Sequence, residues 1–341
     1  WKKSAGGKAV RSIIRRREKR MIDGYHRTID YLRISITDRC NLRCRYCMPV
    51  DLPFRSHDEI LRYEEIERVC RAAVRAGIRH VRVTGGEPLV RKGCLDFLER
   101  LKQMPGIETV AITTNGVLLE EAAPRLAAMG IDSVNISLDT LREDTFQKIA
   151  QRDLFREVWK GLMTAIEAGL RIKVNCVPQK GVNDGELEAM ARLAEQYPID
   201  VRFIEMMPMG YGDETPTIGS EEMEDRFRAA YPGLQVCGER RGFGPAHYYE
   251  APGFQGKIGI IDAVSHCFCQ ECNRIRLSSE GFLKLCLYYD QGVDLRALLR
   301  SGAADEELFQ VIKQAVAQKP ARHGFDSGRR EESRTMSQIG G

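Results

Sequence analysis

Three cysteines, Cys40, Cys44 and Cys47, sit in the run Cys-Asn-Leu-Arg-Cys-Arg-Tyr-Cys with C-x3-C-x2-C spacing. Three thiolates on one short loop can hold three corners of a four-iron, four-sulfur cube; a fully ligated cube takes four cysteines. The fourth iron is then open to a group that is not protein, much as a catalytic metal keeps a position for its substrate. Spacing alone also allows a zinc knuckle short of one ligand, because cysteine motifs overlap between metals. A second group, Cys269, Cys272 and Cys286, is spaced C-x2-C-x13-C. With Cys267 or His266 as a fourth ligand it reads equally well as a structural zinc site. Between the two groups lies Thr84-Gly85-Gly86-Glu87-Pro88. On its own this is an ordinary turn, but its glycine backbone can approach a ligand with no side chain in the way.

The remaining composition sets bounds on the chemistry. The chain has 341 residues, 43% hydrophobic and 29% charged, with 31 glycines and 13 prolines. This is ordinary globular usage, enough for one large domain or two. No run of eighteen apolar residues occurs, so no membrane partner is expected. A formal net charge of +4 is too mild to argue for nucleic acid. Eleven cysteines, an odd number with six in two tight groups, point to metal ligation in a reducing, cytoplasmic setting rather than to disulfides. Residues 1–22 stand apart as a basic extension carrying Arg15-Arg16-Arg17-Glu18-Lys19-Arg20 and no apolar signal stretch. Met21 reads as the natural start, and residues 1–20 as disordered and silent.

The elements that must position the cysteines alternate from residue 30 onward. Strands are expected at 31–37, 80–84, 109–114, 133–138, 171–177 and 201–206. Helices are expected at 63–77, 92–104, 119–130, 155–168 and 184–197, several of them closed by glycine. Strands alternating with helices of this length imply parallel pairing with right-handed crossovers. Six such units are too few for a closed eight-stranded barrel, so the expected fold is α/β, a partial (β/α)6 barrel over 23–210. Its active-site groups belong at the C-terminal ends of the strands. After residue 210 the rhythm breaks. Residues 211–341 are expected to form a smaller region with short strands near 246–250 and 256–261 and a helix at 304–318. It carries the second cysteine group and ends in Gly340-Gly341.

The first cysteine run and the Gly-Gly-Glu-Pro segment together resemble the radical S-adenosylmethionine superfamily. Several further stretches resemble one family within it, the GTP 3′,8-cyclases of molybdenum cofactor biosynthesis. These are Thr37-Asp38-Arg39-Cys40-Asn41 with Met48-Pro49, Arg202-Phe203-Ile204-Glu205, Gly244-Pro245-Ala246, residues 265–277 and the terminal double glycine. The resemblance implies two [4Fe-4S] clusters, on Cys40, Cys44 and Cys47 and on Cys269, Cys272 and Cys286. It implies S-adenosylmethionine at Tyr46, Gly86, Ser137 and Met207, with Glu87 accepting from the ammonium. GTP would be held by Arg33, Arg82, Thr113, Lys173, Arg274 and Arg276, its guanine on the open iron of the second cluster. No G-x4-G-K-[ST] phosphate loop is present, so side chains must do the holding. Arg82 and Lys173 sit inside apolar strands, where a solvated charge is uncomfortable.

The implied reaction makes 3′,8-cyclo-7,8-dihydro-GTP, with Gly340 and Gly341 threading toward the substrate and Arg329, Arg330 and Arg334 carrying the tail there. The implied partners are a flavodoxin- or ferredoxin-like electron donor, a downstream cyclic pyranopterin monophosphate synthase, and a second copy in a homodimer. Cys267 reads as a bystander, and Cys70, Cys94, Cys176 and Cys237 as buried or incidental thiols. Two rival readings are a peptide-modifying radical enzyme with an auxiliary cluster and a zinc-binding interaction module. The first would lack the basic residues for a triphosphate; the second would be colourless.

Overall fold

In the computed structural model the residues described are 20–48, 54–239, 241–325, 331–332 and 334–340. The extension at 1–19, Arg329, Arg330 and Gly341 lie outside them. Among the described residues twelve strands form one sheet: β1 (Tyr31–Ser35), β2 (His80–Thr84), β3 (Thr109–Thr114), β4 (Ser133–Ser137), β5 (Ile172–Cys176), β6 (Asp200–Ile204), β7 (Gln235–Val236), β8 (His247–Glu250), β9 (Ile258–Ile261), β10 (Arg274–Leu277), β11 (Phe282–Lys284) and β12 (Gly292–Asp294). Their order is β12-β11-β10-β1-β2-β3-β4-β5-β6-β9-β8-β7. Pairing is parallel from β10 through β9, and an antiparallel extension closes each flank. The order has two ends, so the barrel stays open, as the count of units predicts. The difference from a six-stranded arc is that the C-terminal region lends it two more parallel strands, β9 beside β6 and β10 beside β1.

Strand side chains alternate across the two faces of the sheet. Leu32 and Ile34, Val110 and Ile112, Val134 and Ile136, Ile172 and Val174, and Val201 and Phe203 join one buried apolar cluster with the helices. Helix Tyr63–Ala76 puts Ile66, Val69, Cys70 and Ala73 on that cluster and ends at Gly77. Fully parallel sheets usually read as near-continuous apolar runs because both faces are covered by helices. Here the intervening positions are polar, since the inner face encloses a cavity.

Two details differ from the expected elements. Residues 184–197 break into a 3-10 turn and two short helices, Leu187–Ala191 and Leu193–Gln196. Helices Glu143–Ala150, Ser220–Ala230, Leu295–Arg300 and Met336–Ile339 are additional. The first lies between β4 and β5, before the helix expected there. The second sits in a stretch whose glycines and prolines mask an eleven-residue amphipathic segment. Among the described residues no helix is long and apolar enough to cross a membrane.

One buried ion pair ties the chain's remote parts together. Arg27 Nε donates to Asp23 at 2.6 Å, while its Nη atoms donate to the carbonyls of Cys269, Ala321 and Pro320 at 2.7, 2.8 and 2.6 Å. Removing one partner of such a pair strands the other's charge in low dielectric. Arg27→Ala is therefore expected to cost about 3–5 kcal/mol, read as a lower denaturation midpoint. Adding Asp23→Asn should recover part of that loss. A loss within about 1 kcal/mol, the range of an exposed pair, would mean that the staple carries no load.

Candidate functional site

The inward positions of the parallel strands surround a cavity of about 820 Å³. Its wall includes Cys40, Cys44, Tyr46 and Cys47 from the loop after β1, and Gly85 and Gly86 from the loop after β2. The two loops are clamped together: Gly86 N donates to Thr37 O at 2.7 Å and Glu87 N to Arg39 O at 2.8 Å. A Cβ on Gly86 would lie 2.4 Å from Arg39 O, so only glycine permits this approach. The cysteine loop also docks on helix Glu143–Ala150 through Arg43 N to Ala150 O and Arg45 N to Ile149 O. Cys40 Sγ accepts from Leu42 N at 3.4 Å and Asn115 Nδ2 at 3.6 Å. Burial first, then neighbouring Cys40 and Asp139, push the Cys47 thiol up to about 12. Three thiols that resist ionisation alone suit a metal cation, which would hold them as thiolates.

Around this end of the cavity stand Ser137, Met207 and Asn175. Ser137 is paired in register with Asn175, whose Oδ1 accepts from Arg202 Nε at 2.9 Å. Tyr46 OH donates to Asp139 Oδ2 at 2.8 Å, and Asp139 Oδ1 accepts from Val177 N at 2.8 Å. Burial raises the Asp139 carboxyl to about 6. Glu87 does not face the cavity, contrary to expectation. Its buried carboxylate accepts from Leu89 N, Asn115 N and the Thr114 hydroxyl at 2.9, 2.6 and 2.9 Å. It holds the loops after β2 and β3 in place rather than reaching a ligand.

The other end is basic. Arg33 on β1 is directly opposite Arg276 on β10 and Arg82 on β2, so three arginines stand side by side on adjacent strands. Arg274, one inward position earlier on β10, lies over the Phe268 ring at 5.1 Å. Its Nε is buried with no hydrogen-bond partner among the described residues. Burial, then Arg276, pulls the Arg33 pKa well below its ordinary value. Burial and Arg274 bring Arg276 to about 10. Arg82 donates to Tyr31 OH at 2.5 Å and Thr113 Oγ1 at 3.4 Å. Across the cavity Lys173 donates to Tyr248 OH at 3.0 Å and lies 3.7 Å from Asp200. Burial and Arg202 lower the Lys173 pKa to about 7. Like charges directly opposite are destabilising, so this concentration suits a polyanion.

The sequence reading left out Arg202, Tyr31, Asn175 and Tyr248, all of which line the cavity. The available signal for Arg202 was the one used for Arg82 and Lys173, a charge inside an apolar strand. Neither tyrosine carries such a signal.

The second cysteine group lies behind this wall, and its thiols do not line the cavity. Residues 264–265 are fixed by the buried Glu205, which accepts from Val264 N and Ser265 N, both at 2.9 Å, and from the Ser265 hydroxyl. The β10–β11 hairpin pairs Arg276 with Lys284; Cys272 precedes β10 by two residues and Cys286 follows β11 by two, where its charge acts on Cys269 and Arg276. Burial opposes ionisation of Cys272, but Lys319 and Arg274 outweigh it and lower its pKa. Cys269, by contrast, is pushed up to about 12, by burial first. The donor types suit an iron–sulfur cluster; the three thiols are not within single-ion distance of one another.

The tail packs onto this end. Thr335 and Gln338 form a capping box for helix Met336–Ile339, and Ile339 is buried against Met209, Tyr288 and Phe325. Gly340, at φ +85°, has its carbonyl 2.8 Å from Arg276 Nη1. A Cβ there would meet Ser35 Cβ at 2.8 Å and Thr84 Cγ2 at 3.0 Å. Arg334 does not lead the tail toward the cavity. It pairs with Asp290 at 2.6 Å and covers the Phe282 ring. The segment is anchored instead by the buried Lys284–Glu332 pair.

Comparison with known proteins gives matching results at several levels. Residues 34–194 match the radical SAM superfamily model, and residues 199–325 match Molybdenum Cofactor Synthesis C. A GTP 3′,8-cyclase of Heliobacterium modesticaldum is 49% identical over 94% of this chain and 100% of its own length. One of Moorella thermoacetica is 44% identical, again over 94% and 100%. Among solved structures, Streptococcus suis SuiB bound to S-adenosylmethionine superposes with TM-score 0.59 at 17% identity, over 90% of this chain and 72% of that one. At that identity the likeness shows the fold.

The basic end makes a stability prediction. Arg33→Met removes a desolvated charge from between two others. It should stabilise the ligand-free protein by about 1 kcal/mol or more while shrinking the rise in Tm that tripolyphosphate produces. Thermal unfolding with and without the polyanion measures both. A destabilised variant with an undiminished polyanion response would remove Arg33 from the anion site.

Proposed function

The chain belongs to the GTP 3′,8-cyclase family of radical S-adenosylmethionine enzymes, and from that premise we propose which of its residues carry the reaction. The substrate is GTP and the product 3′,8-cyclo-7,8-dihydro-GTP, the first intermediate of molybdenum cofactor synthesis. The observation that carries the assignment of residues is the single cavity with thiols at one end and arginines at the other.

Cys40, Cys44 and Cys47 would hold the first [4Fe-4S] cluster, with Tyr46, Gly86, Ser137 and Met207 around S-adenosylmethionine. When bound, that pair supplies a 5′-deoxyadenosyl radical able to take hydrogen from the ribose C3′ of GTP. Arg33, Arg82, Arg274, Arg276 and Lys173 hold the triphosphate by charge-assisted contacts, Thr113 stands beside Arg82, and we add Arg202 to the basic set. Fixing both ends of the nucleotide sets C3′ toward the radical source and C8 within reach of C3′, which is a positioning contribution. The enclosing strands would limit the access of water and stray hydrogen donors. Cys269, Cys272 and Cys286 would hold the second cluster, on the guanine side of the substrate.

Gly340 fills the space between Ser35, Thr84 and Arg276, so its carbonyl orients Arg276 toward the substrate; Gly341, outside the described residues, is assigned to the same role. One electron and one proton complete the product, and a flavodoxin- or ferredoxin-like donor suits the low potential of a thiolate-bound cluster. A cyclic pyranopterin monophosphate synthase would consume the product. A reducing cytoplasm suits the exposed iron–sulfur chemistry, and a homodimer is the assembly in keeping with the family.

Anaerobic turnover of reduced, iron-loaded protein with GTP and S-adenosylmethionine tests the reading. Cys40→Ser, Cys44→Ser or Cys47→Ser should abolish 5′-deoxyadenosine formation, because a hydroxyl replaces a soft thiolate. Near-normal 5′-deoxyadenosine from any of them would remove the first-cluster assignment.

Gly340→Ala makes a separate prediction. Its methyl collides with Ser35 and Thr84 at a positive φ that alanine resists. Iron content and 5′-deoxyadenosine formation should persist, while cyclised GTP falls at least about tenfold, the cost of a small misplacement near the reacting centre. Normal cyclisation would mean that the tail's position is incidental.

A further inference from the structure

Cys267 lies two residues before Cys269 and is exposed, whereas Cys269 and His323 beside it are buried. The two Sγ atoms and one ring nitrogen of His323 all lie within 4.8 Å of one another. Among the described residues no other three His, Cys, Asp or Glu ligand atoms come that close. Cys40, Cys44 and Cys47 do not, which is as it should be for thiolates that each bind a different iron of a cube. Ligands of one ion must converge on one point, and these three do.

The convergence is built by the chain rather than by chance approach. Arg27 bridges the carbonyls of Cys269, Pro320 and Ala321, so the two segments cross at a fixed place. His323 N donates to Cys269 Sγ at 3.3 Å. The His323 ring is held against Phe325 at 4.5 Å between centroids, and Phe325 N donates to its Nδ1 at 3.3 Å. Two thiolates and an imidazole are the donor set of a tetrahedral zinc site with one position left for water. Exposure of Cys267 gives an ion its way in.

We propose that, when the second cluster is absent, Cys267, Cys269 and His323 bind one divalent ion of the zinc class, and that this ion and the second cluster exclude each other. Binding converts two thiols to thiolates and releases their protons, with no change of oxidation state. The exclusion follows because Cys269 cannot serve both; it rests on the assignment of Cys269 to the second cluster, whereas the ion site itself does not. Loading of the enzyme then depends on which metal reaches the chain first, and Cys267, a bystander to the cluster, is what makes the competing site.

The test uses the full chain, freed of iron anaerobically and titrated with zinc against a chromophoric chelator, with tightly bound zinc counted by elemental analysis. Cys267→Ser should lose one equivalent per chain relative to the unsubstituted protein, and Cys286→Ser should lose none. Circular dichroism checks that each variant is folded. No loss in Cys267→Ser, or a loss in Cys286→Ser, overturns the site, the latter by placing zinc on Cys269, Cys272 and Cys286. Reconstitution with iron and sulfide after zinc loading should then leave the unsubstituted chain one four-iron cluster poorer than Cys267→Ser. Equal iron in the two chains, with the zinc still counted on the unsubstituted chain after reconstitution, would leave the ion site standing and overturn both the exclusion and the Cys269 assignment.

Discussion

Three arginines are held abreast on neighbouring parallel strands, against the repulsion of like charges placed directly opposite. Arg276, Arg33 and Arg82 are fixed opposite one another by backbone register, so no rotamer change moves their strands apart. Burial and the neighbouring arginines oppose the charges of Arg33 and Arg276. The fold tolerates this because the outer face of the same strands is wholly apolar and packed on helices. Parallel pairing supplies rigidity, alternation supplies two chemically opposite faces, and the inner face is then free to be unfavourable until an anion arrives. Strain of this kind at a binding site is preorganisation, offset by packing elsewhere.

That alternation explains what could be read in advance. The central strands and their helices follow from periodicity, and β2 and β3 fall at the expected residues. Arg82 and Lys173 stand out as charges between valines and isoleucines. Both cysteine groups are visible because spacing and residue type carry the signal. Other features depend on long-range register and were not legible. Nothing local says that Arg274-Ile275-Arg276-Leu277 is a strand lying beside β1, though it completes the arginine row. Tyr31 and Tyr248 are uninformative as residue types until the sheet places them in the cavity. Glu87 misleads in the opposite way: a carboxylate in a ligand-binding motif here serves the chain's own amides.

The C-terminal region is less an appendage than the missing side of the barrel. It contributes β10 to the arginine row, Glu205-held residues 264–265 to the second cysteine loop, and the Gly340 carbonyl as a partner for Arg276. Arg27 couples the start of the described chain to that loop. Substrate binding, cluster binding and folding therefore share supports. The same sharing places Cys267 near enough to Cys269 and His323 to offer a metal a different home.

The central claim is that the triphosphate is held by this inward row of cations. Calorimetric titration of the anaerobic, cluster-loaded protein with GTP, GDP, GMP and guanosine tests it directly. Each charge-assisted contact contributes about 1.5–3 kcal/mol, so affinity should fall by about tenfold or more with each phosphate removed. Guanosine binding as tightly as GTP would contradict the account, because recognition would then rest on the base and leave the arginine row without a purpose.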